Sequence, residues 1–349
     1  MHEDNEVLDA VVVTALGIKR SEKALTYNVQ EVAGDIVNTV KDANFMNSLS
    51  GKVAGLQINA SASGVGGSTR VVMRGVKSIS GNNNALYVID GIPMPDLRSS
   101  QTEGTYETPD GGDFEGISNL NPEDIESMTV LSGATAAALY GSQGANGVIV
   151  ITTKKGEEGR VRVNYANNTT FSSPFVMPQF QNTYGTDATA PSMSWGTKLS
   201  TPTSYDPSDF FQTGFEETNA ISVSGGTRVN QSYFNSRGII PNNVYNRYNF
   251  TFRNTTQLIK DKLTLDLGAS YMRQYKRNPL VQGLYHNPLI PIYLFPRGDD
   301  ISKYEVYERY DATAGYMKQF WPLEFITGVE NPWWITNREL FENTAHRYT

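Results

Sequence analysis

The chain has 349 residues with Lys+Arg 29 against Asp+Glu 36, a formal charge of −7, and an isoelectric point near 5.2, which argues against nucleic acid as a partner. Cysteine is absent and histidine occurs only at positions 2, 286 and 346, so disulfide scaffolds, thiol catalysis and Cys-based zinc sites are excluded and a multi-histidine centre has little to draw on. No apolar run approaches the roughly 18 to 20 residues of a membrane-spanning helix, whereas a β-barrel, whose wall strands alternate, stays open.

Residues 1–6 are acidic and polar, without the basic and apolar regions of a signal peptide. Leu8-Asp9-Ala10-Val11-Val12-Val13-Thr14 follows, and its three successive valines favour extended backbone because β-branching restricts χ1. Polar sequence flanks it on both sides, so it reads as a short strand with no hairpin partner beside it. Such a strand can add to the sheet edge of another protein; the plainer alternative is the first strand of the next domain.

Residues 27–155 read as a small α+β domain. Phe45, Met46 and Leu49 share a face of a short helix capped by Asp42 or Asn44 and stopped by Gly51. Strands are predicted over 53–58, 70–75, 85–89 and 127–131, the third ending in the turn Asp90-Gly91. Asn121-Pro122-Glu123-Asp124 has the marks of a helix start, and Ala134 to Tyr140 those of a small helix closed by Gly141. The apolar run Gly147-Val148-Ile149-Val150-Ile151-Thr152-Thr153 reads as a strand buried on both faces. The Gly-rich stretch 64–69 lacks the lysine of a phosphate loop. Asp90, Asp110, Asp113 and Asp124 read as turn and cap residues, with no spacing that pairs them for acid–base work. No enzyme activity, metal or cofactor is expected.

From residue 161 the period changes to two. Val161, Val163 and Tyr165 alternate with polar residues; 220–224 and 229–236 flank the hairpin signal Gly225-Gly226-Thr227. Over 247–258, Tyr248, Phe250 and Phe252 oppose Asn249, Thr251 and Arg253, and Leu263, Leu265, Leu267 and Tyr271 alternate with polar residues after a turn at Asp261-Lys262. The strands are long enough to cross a bilayer when tilted. Tyr245, Tyr248, Tyr271 and Tyr275 are expected in an interfacial aromatic girdle. Long excursions at 172–217 and 277–338 contrast with the tight turns, the asymmetry of outer-membrane barrels. A soluble β-sandwich explains the alternation equally well but the loop lengths less well. An open sheet has edges that hydrocarbon does not tolerate, so these residues are expected to be early strands of a longer protein, with 342–349 beginning another.

The segment from Leu8 to Gly17 resembles the TonB box of the SusC/RagA family of TonB-dependent outer-membrane transporters. Gly55-Leu56-Gln57-Ile58, Arg74-Gly75, Leu86-Tyr87-Val88-Ile89-Asp90-Gly91-Ile92-Pro93 and the stretch from Leu131 to Lys154 resemble that family's plug motifs, in order. The resemblance implies an α+β plug domain followed by antiparallel transmembrane β-barrel strands, of which a complete barrel would have about 22. It divides the chain into a flexible segment at 1–26 with the TonB box at about 8–17, a plug at 27–155 and barrel strands with long loops at 156–349. It further implies import of a large solute, oligosaccharide or peptide, across the outer membrane of a Gram-negative bacterium, with the N-terminal segment in the periplasm. The implied partners are TonB with ExbB and ExbD, a SusD-type surface lipoprotein as lid, and a second copy of that pair. Leu8, Asp9, Ala10, Val11, Val12, Val13 and Thr14 would bind TonB, and the plug-loop residues Ser80, Asn82, Asn83 and Asn84 would touch solute. Where the family commonly carries a small immunoglobulin-like extension, the residues given before Val7 are only Met1 to Glu6. The alternative is a soluble, secreted β-rich binding or adhesion protein. Trp195, Trp321, Trp333 and Trp334 are loop aromatics suited either to stacking on sugar rings or to packing.

Overall fold

The computed structural model describes residues 11–13, 19–21, 29–38, 44–59, 65, 69–78, 83–94, 117, 120–131, 133–156, 160–203, 205–259, 262–278, 285–323, 329–337 and 342–348. Strand β1 (Val11–Val13) does have a hairpin partner, contrary to expectation. It pairs antiparallel with β2 (Lys19–Ser21), Val12 opposite Arg20, in a separate two-stranded ribbon. Lys-Arg-Ser carries no strand preference of its own; the pairing supplies it.

The plug is built on β3 (Val29–Ala33), followed by α1 (Gly34–Asn38), β4 (Leu56–Asn59), β5 (Arg70–Met73), β6 (Leu86–Ile89), β7 (Ile92–Met94), β8 (Ile125–Leu131), α2 (Ala134–Tyr140) and β9 (Val148–Thr153). Five strands form one mixed sheet in the order β3-β8-β9-β6-β7, while β4 and β5 form a separate hairpin. The apolar run of β9 sits near the middle, parallel to β6 and antiparallel to β8. One of its faces packs Ile149 and Ile151 with Met128, Val130 and Tyr87. The other packs Val148 and Val150 with Leu86, Val88, Leu131 and Ala136 of α2. Fully burying each such side chain is worth about 1.5–3 kcal/mol. The helix expected near 45–49 is a 3-10 turn, Phe45–Leu49, capped as anticipated by Asn44, whose Oδ1 accepts from the Met46 amide at 3.2 Å. The helix start at 121–124 likewise contracts to the 3-10 turn Pro122–Asp124, because the next residue already belongs to β8.

The wall comprises β10 (Arg162–Ser172), β11 (Gly214–Gly225), β12 (Thr227–Arg237), β13 (Val244–Ile259) and β14 (Leu263–Arg277). After the loop elements α3 (Leu289–Leu294), β15 (Glu308–Asp311), β16 (Tyr316–Gln319) and α4 (Pro332–Thr336), β17 (Glu342–Tyr348) rejoins it. All six wall strands are antiparallel neighbours in the order β10-β11-β12-β13-β14-β17. At one end the turns are tight; Gly226, with φ of +76°, is the lone residue between β11 and β12, a conformation glycine adopts freely. At the other end lie the described parts of two long excursions, 173–203 with 205–213, and 285–323 with 329–337.

Those excursions fold together. Tyr205 and Phe210 from the first pack against Ile292, Phe295, Tyr304 and Trp321 from the second, with Ile240 from the short β12–β13 connection. Asn331, 0% exposed, ties this cluster. Its Nδ2 donates to the carbonyls of Tyr304 and Phe320, both at 2.8 Å, and its Oδ1 accepts from the amides of Trp333 and Trp334.

Candidate functional site

The wall is built inside out. Along β13, Arg247 and Asn249 are 4% and 3% exposed while Phe250, the next residue of the same strand, is 36% exposed. Asn230, Ser232, Ser236, Gln274 and Lys276 are buried on the same polar face. The opposite face carries aligned rows that are largely apolar: Val163, Val223, Val229 and Phe252 in one, Tyr165, Ile221, Gln231, Phe250 and Tyr271 in the next. Leu263, Leu265 and Leu267 continue it and stand 49%, 40% and 50% exposed. A water-soluble sheet buries its apolar face; this one covers its polar face with the plug and leaves the apolar one outward, the arrangement suited to lipid. The expected girdle needs one correction. Tyr245 has the parity of Arg247 and is 1% exposed, lying against Phe234 with ring centroids 5.8 Å apart, whereas Tyr248, Tyr271 and Tyr275 lie on the outer face.

Plug and wall meet in a polar seam. Asp124, the last residue of the 3-10 turn before β8, receives the Asn230 Nδ2 on Oδ1 at 2.8 Å and the Thr251 Oγ1 on Oδ2 at 2.6 Å. Arg228 faces it, with Nη2 at 3.4 Å from the carboxylate and 3.1 Å from the Glu123 carbonyl. Asp90, in the turn between β6 and β7, accepts from the Thr153 amide and hydroxyl at 2.9 and 2.8 Å and forms an ion pair with the Arg253 Nη2 at 2.7 Å. Arg253 Nη1 also donates to the Thr153 hydroxyl. Lys155, just after β9, pairs with Asp266 of β14 at 3.0 Å. A cavity of about 380 Å³ opens above these groups, lined on the plug side by Ile89, Ile92, Met94 and Leu120 and on the wall side by Met272 and Ser270.

Leu8, Asp9, Ala10 and Thr14 lie outside the described residues, and Val11, Val12 and Val13 form β1. Ser80 and Asn82 also lie outside them. Asn83 and Asn84 are 3% and 7% exposed. The Asn83 amide is turned onto its own loop, accepting from the backbone N–H groups of Lys77 and Ser78 and donating to the Ser78 carbonyl, which makes it a brace for the loop. Of the four tryptophans, Trp321 is 4% exposed in the loop core, Trp333 packs edge-on against Phe210 and Trp334 lies near Tyr307. Trp195 alone stands out, 76% exposed, beside Tyr184. Among the described residues no group of three or more His, Asp or Glu is placed to hold a metal. Asp90 and Asp124, which the sequence pattern presents as turn and cap residues, are the carboxylates of this seam. Their only local signal was an Asp-Gly turn and an acid beside a cap.

Residues 21–148 match the family model of the TonB-dependent receptor plug domain. TonB-dependent receptor SusC of Bacteroides thetaiotaomicron is 29% identical over 351 aligned residues, covering 96% of this chain and 32% of that protein. These matches support a SusC/RagA-type TonB-dependent receptor. TonB-dependent receptor P26 of Formosa agariphila is 28% identical, over 83% of the chain and 30% of that protein. Among solved structures, the RagAB peptide importer in its open-open state superposes with a TM-score of 0.65 at 20% identity, over 90% of this chain and 38% of that one. The last match speaks for the fold alone: a plug followed by antiparallel wall strands of a TonB-dependent barrel. The chain spans about a third of the length of the curated relatives it matches.

Proposed function

We propose that the protein carrying this SusC/RagA-type chain is the barrel-and-plug component of a TonB-dependent importer in the outer membrane of a Gram-negative bacterium. One observation carries the reading: a long-stranded sheet buries its polar face on a plug and turns its apolar face outward. A soluble, secreted β-rich protein would need the reverse. The two end strands of the sheet, β10 and β17, each pair on one side only among the described residues, and β17 covers β14 only over Tyr271–Arg277; hydrocarbon requires such edges to be closed by further wall strands, about 22 in all.

In this reading transport works by displacement and involves no bond chemistry. TonB, driven by ExbB and ExbD, binds Leu8–Thr14 and adds a strand along the edge of β1 that β2 leaves free. Force then passes along the chain to β3, the edge strand of the plug sheet. The solute is a large oligosaccharide or peptide that enters from the loop side beneath a SusD-like lipoprotein, in a dimer of such pairs. Ser80 and Asn82 are the proposed contacts to solute, with Asn83 and Asn84 holding the base of their loop. Deleting residues 7–14 from the full-length protein is expected to abolish uptake while leaving its abundance in the outer membrane unchanged. Normal uptake by that deletion removes the reading.

A further inference from the structure

Arg228 and Arg253 stand directly opposite each other in the β12–β13 pairing, on the same inner face. Residues so placed have Cβ atoms about 4.5–5.5 Å apart, and like charges there repel. The wall itself offers little to offset this. In the row of Arg228 the pairing partners are Ser224 and Arg253. Asp266 lies on β14 two residues from Gly268, the partner of Arg253, and is already paired with Lys155. The offset comes from the plug: Asp124 against Arg228 and Asp90 against Arg253, with the side chains of the two arginines only 13% and 23% exposed.

We infer that the Arg228–Arg253 pair is the wall half of a charge-matched seat, whose repulsion is relieved only while Asp124 and Asp90 of the plug occupy it, so that a displaced plug is drawn back into place. The inference rests on the importer reading for what moves the plug. Displacement strips both carboxylates at once, since both sit at the same end of the plug sheet, one in the β6–β7 turn and one in the turn leading into β8. Asp266 on the same wall is already held by Lys155, and Arg228 has no wall carboxylate in its row. The two arginines are positioning residues. They act on the seating of the plug, and contact with solute is not part of their role.

The test uses the full-length receptor in cells lacking TonB, with entry of vancomycin as the probe and each variant scaled to its abundance in the outer membrane. D90N/D124N removes the plug half and is expected to raise entry by about tenfold, the scale of losing charge-assisted hydrogen bonds. Adding R228Q/R253Q to that variant removes the repulsion as well and is expected to lower entry again, by about two- to fivefold. A purely structural role moves the other way, because the fourfold variant has lost more hydrogen bonds. The inference is overturned if D90N/D124N seals like the unsubstituted protein, or if the fourfold variant leaks as much as the twofold one. Where D90N/D124N fails to assemble, D124N with and without R228Q decides by the same sign, and R228K is expected to stay sealed. Uptake that survives deletion of residues 7–14 removes the importer reading, while the leak assay, run without TonB, still decides the seat on its own.

Discussion

In the plug, strand β9 hides Ile149 and Ile151 at 0% exposure on one face and Val148 and Val150 on the other. In the wall, β13 hides Arg247 and Asn249 and turns Tyr248, Phe250 and Phe252 away. Both are β-sheets with buried strands, and what they bury is opposite. The contrast teaches that a sheet face is chosen by the medium it meets, and that the plug is the aqueous-type core whose polar exterior the wall is shaped to receive.

The comparison breaks most sharply at the plug core. Ile149→Asp places an unpaired carboxylate where no water reaches, and is expected to cost more than about 4 kcal/mol. The checking measurement is protease nicking of residues 120–156 in outer-membrane preparations, with wall strands left protected. Cleavage no faster than in the unsubstituted protein would show that the plug core is not apolar-driven. Next in size, Leu267→Arg on the outer face is expected to destabilise the wall by about 2–4 kcal/mol if that position sits near the bilayer midplane. Arginine at Ala166, on the inward-facing register of β10, is expected to cost well under half as much, read from urea midpoints of the full-length barrel in lipid vesicles. Equal costs on the two faces would undo the inside-out assignment.

The smallest effect concerns the loop core. Burial first, and then the hydrogen bond to Asp299, push the Tyr304 hydroxyl up from its usual 10 to about 12. A raised acid pKa means that the folded loop keeps its proton where the unfolded chain loses it. Its contribution to stability is therefore complete below pH 10 and is lost as the pH rises from 10 toward 12. Tyr205, also raised by burial, adds to the same trend. Trp321 fluorescence in this pH range should report loosening of the loop cluster, and Tyr304→Phe should blunt it. An unchanged alkaline profile in that variant would assign the transition elsewhere.

The wall was legible because a period of two survives any tertiary context: once Leu263, Leu265 and Leu267 alternate with polar neighbours, the face follows. Tyr245 misled because a tyrosine near a strand end suits a girdle and an interior equally, and only its parity with Arg247 decides. β2 carried no propensity at all. The seam was hidden for another reason. Asp90 does serve as a turn residue, with φ of +47° before Gly91, and aspartate tolerates that conformation. Its second role depends on Arg253, 163 residues away, and that of Asp124 on Arg228, 104 residues away. Local patterns carry no trace of such distances. The covered tryptophans Trp321 and Trp333 were ambiguous for the same reason, because a loop core assembled from two distant excursions has no signature in either.

Gly156 gives the last consequence. It passes so close to the hairpin turn of β11 and β12 that a Cβ added there would stand 2.3 Å from the Gly226 carbonyl oxygen. Gly156, three residues past the end of β9, is thus lodged against the backbone of that wall turn, and holds the exit of the plug at this point of the wall. Any side chain at position 156 would have to push its own segment or the β11–β12 turn aside, because the atoms it meets are backbone.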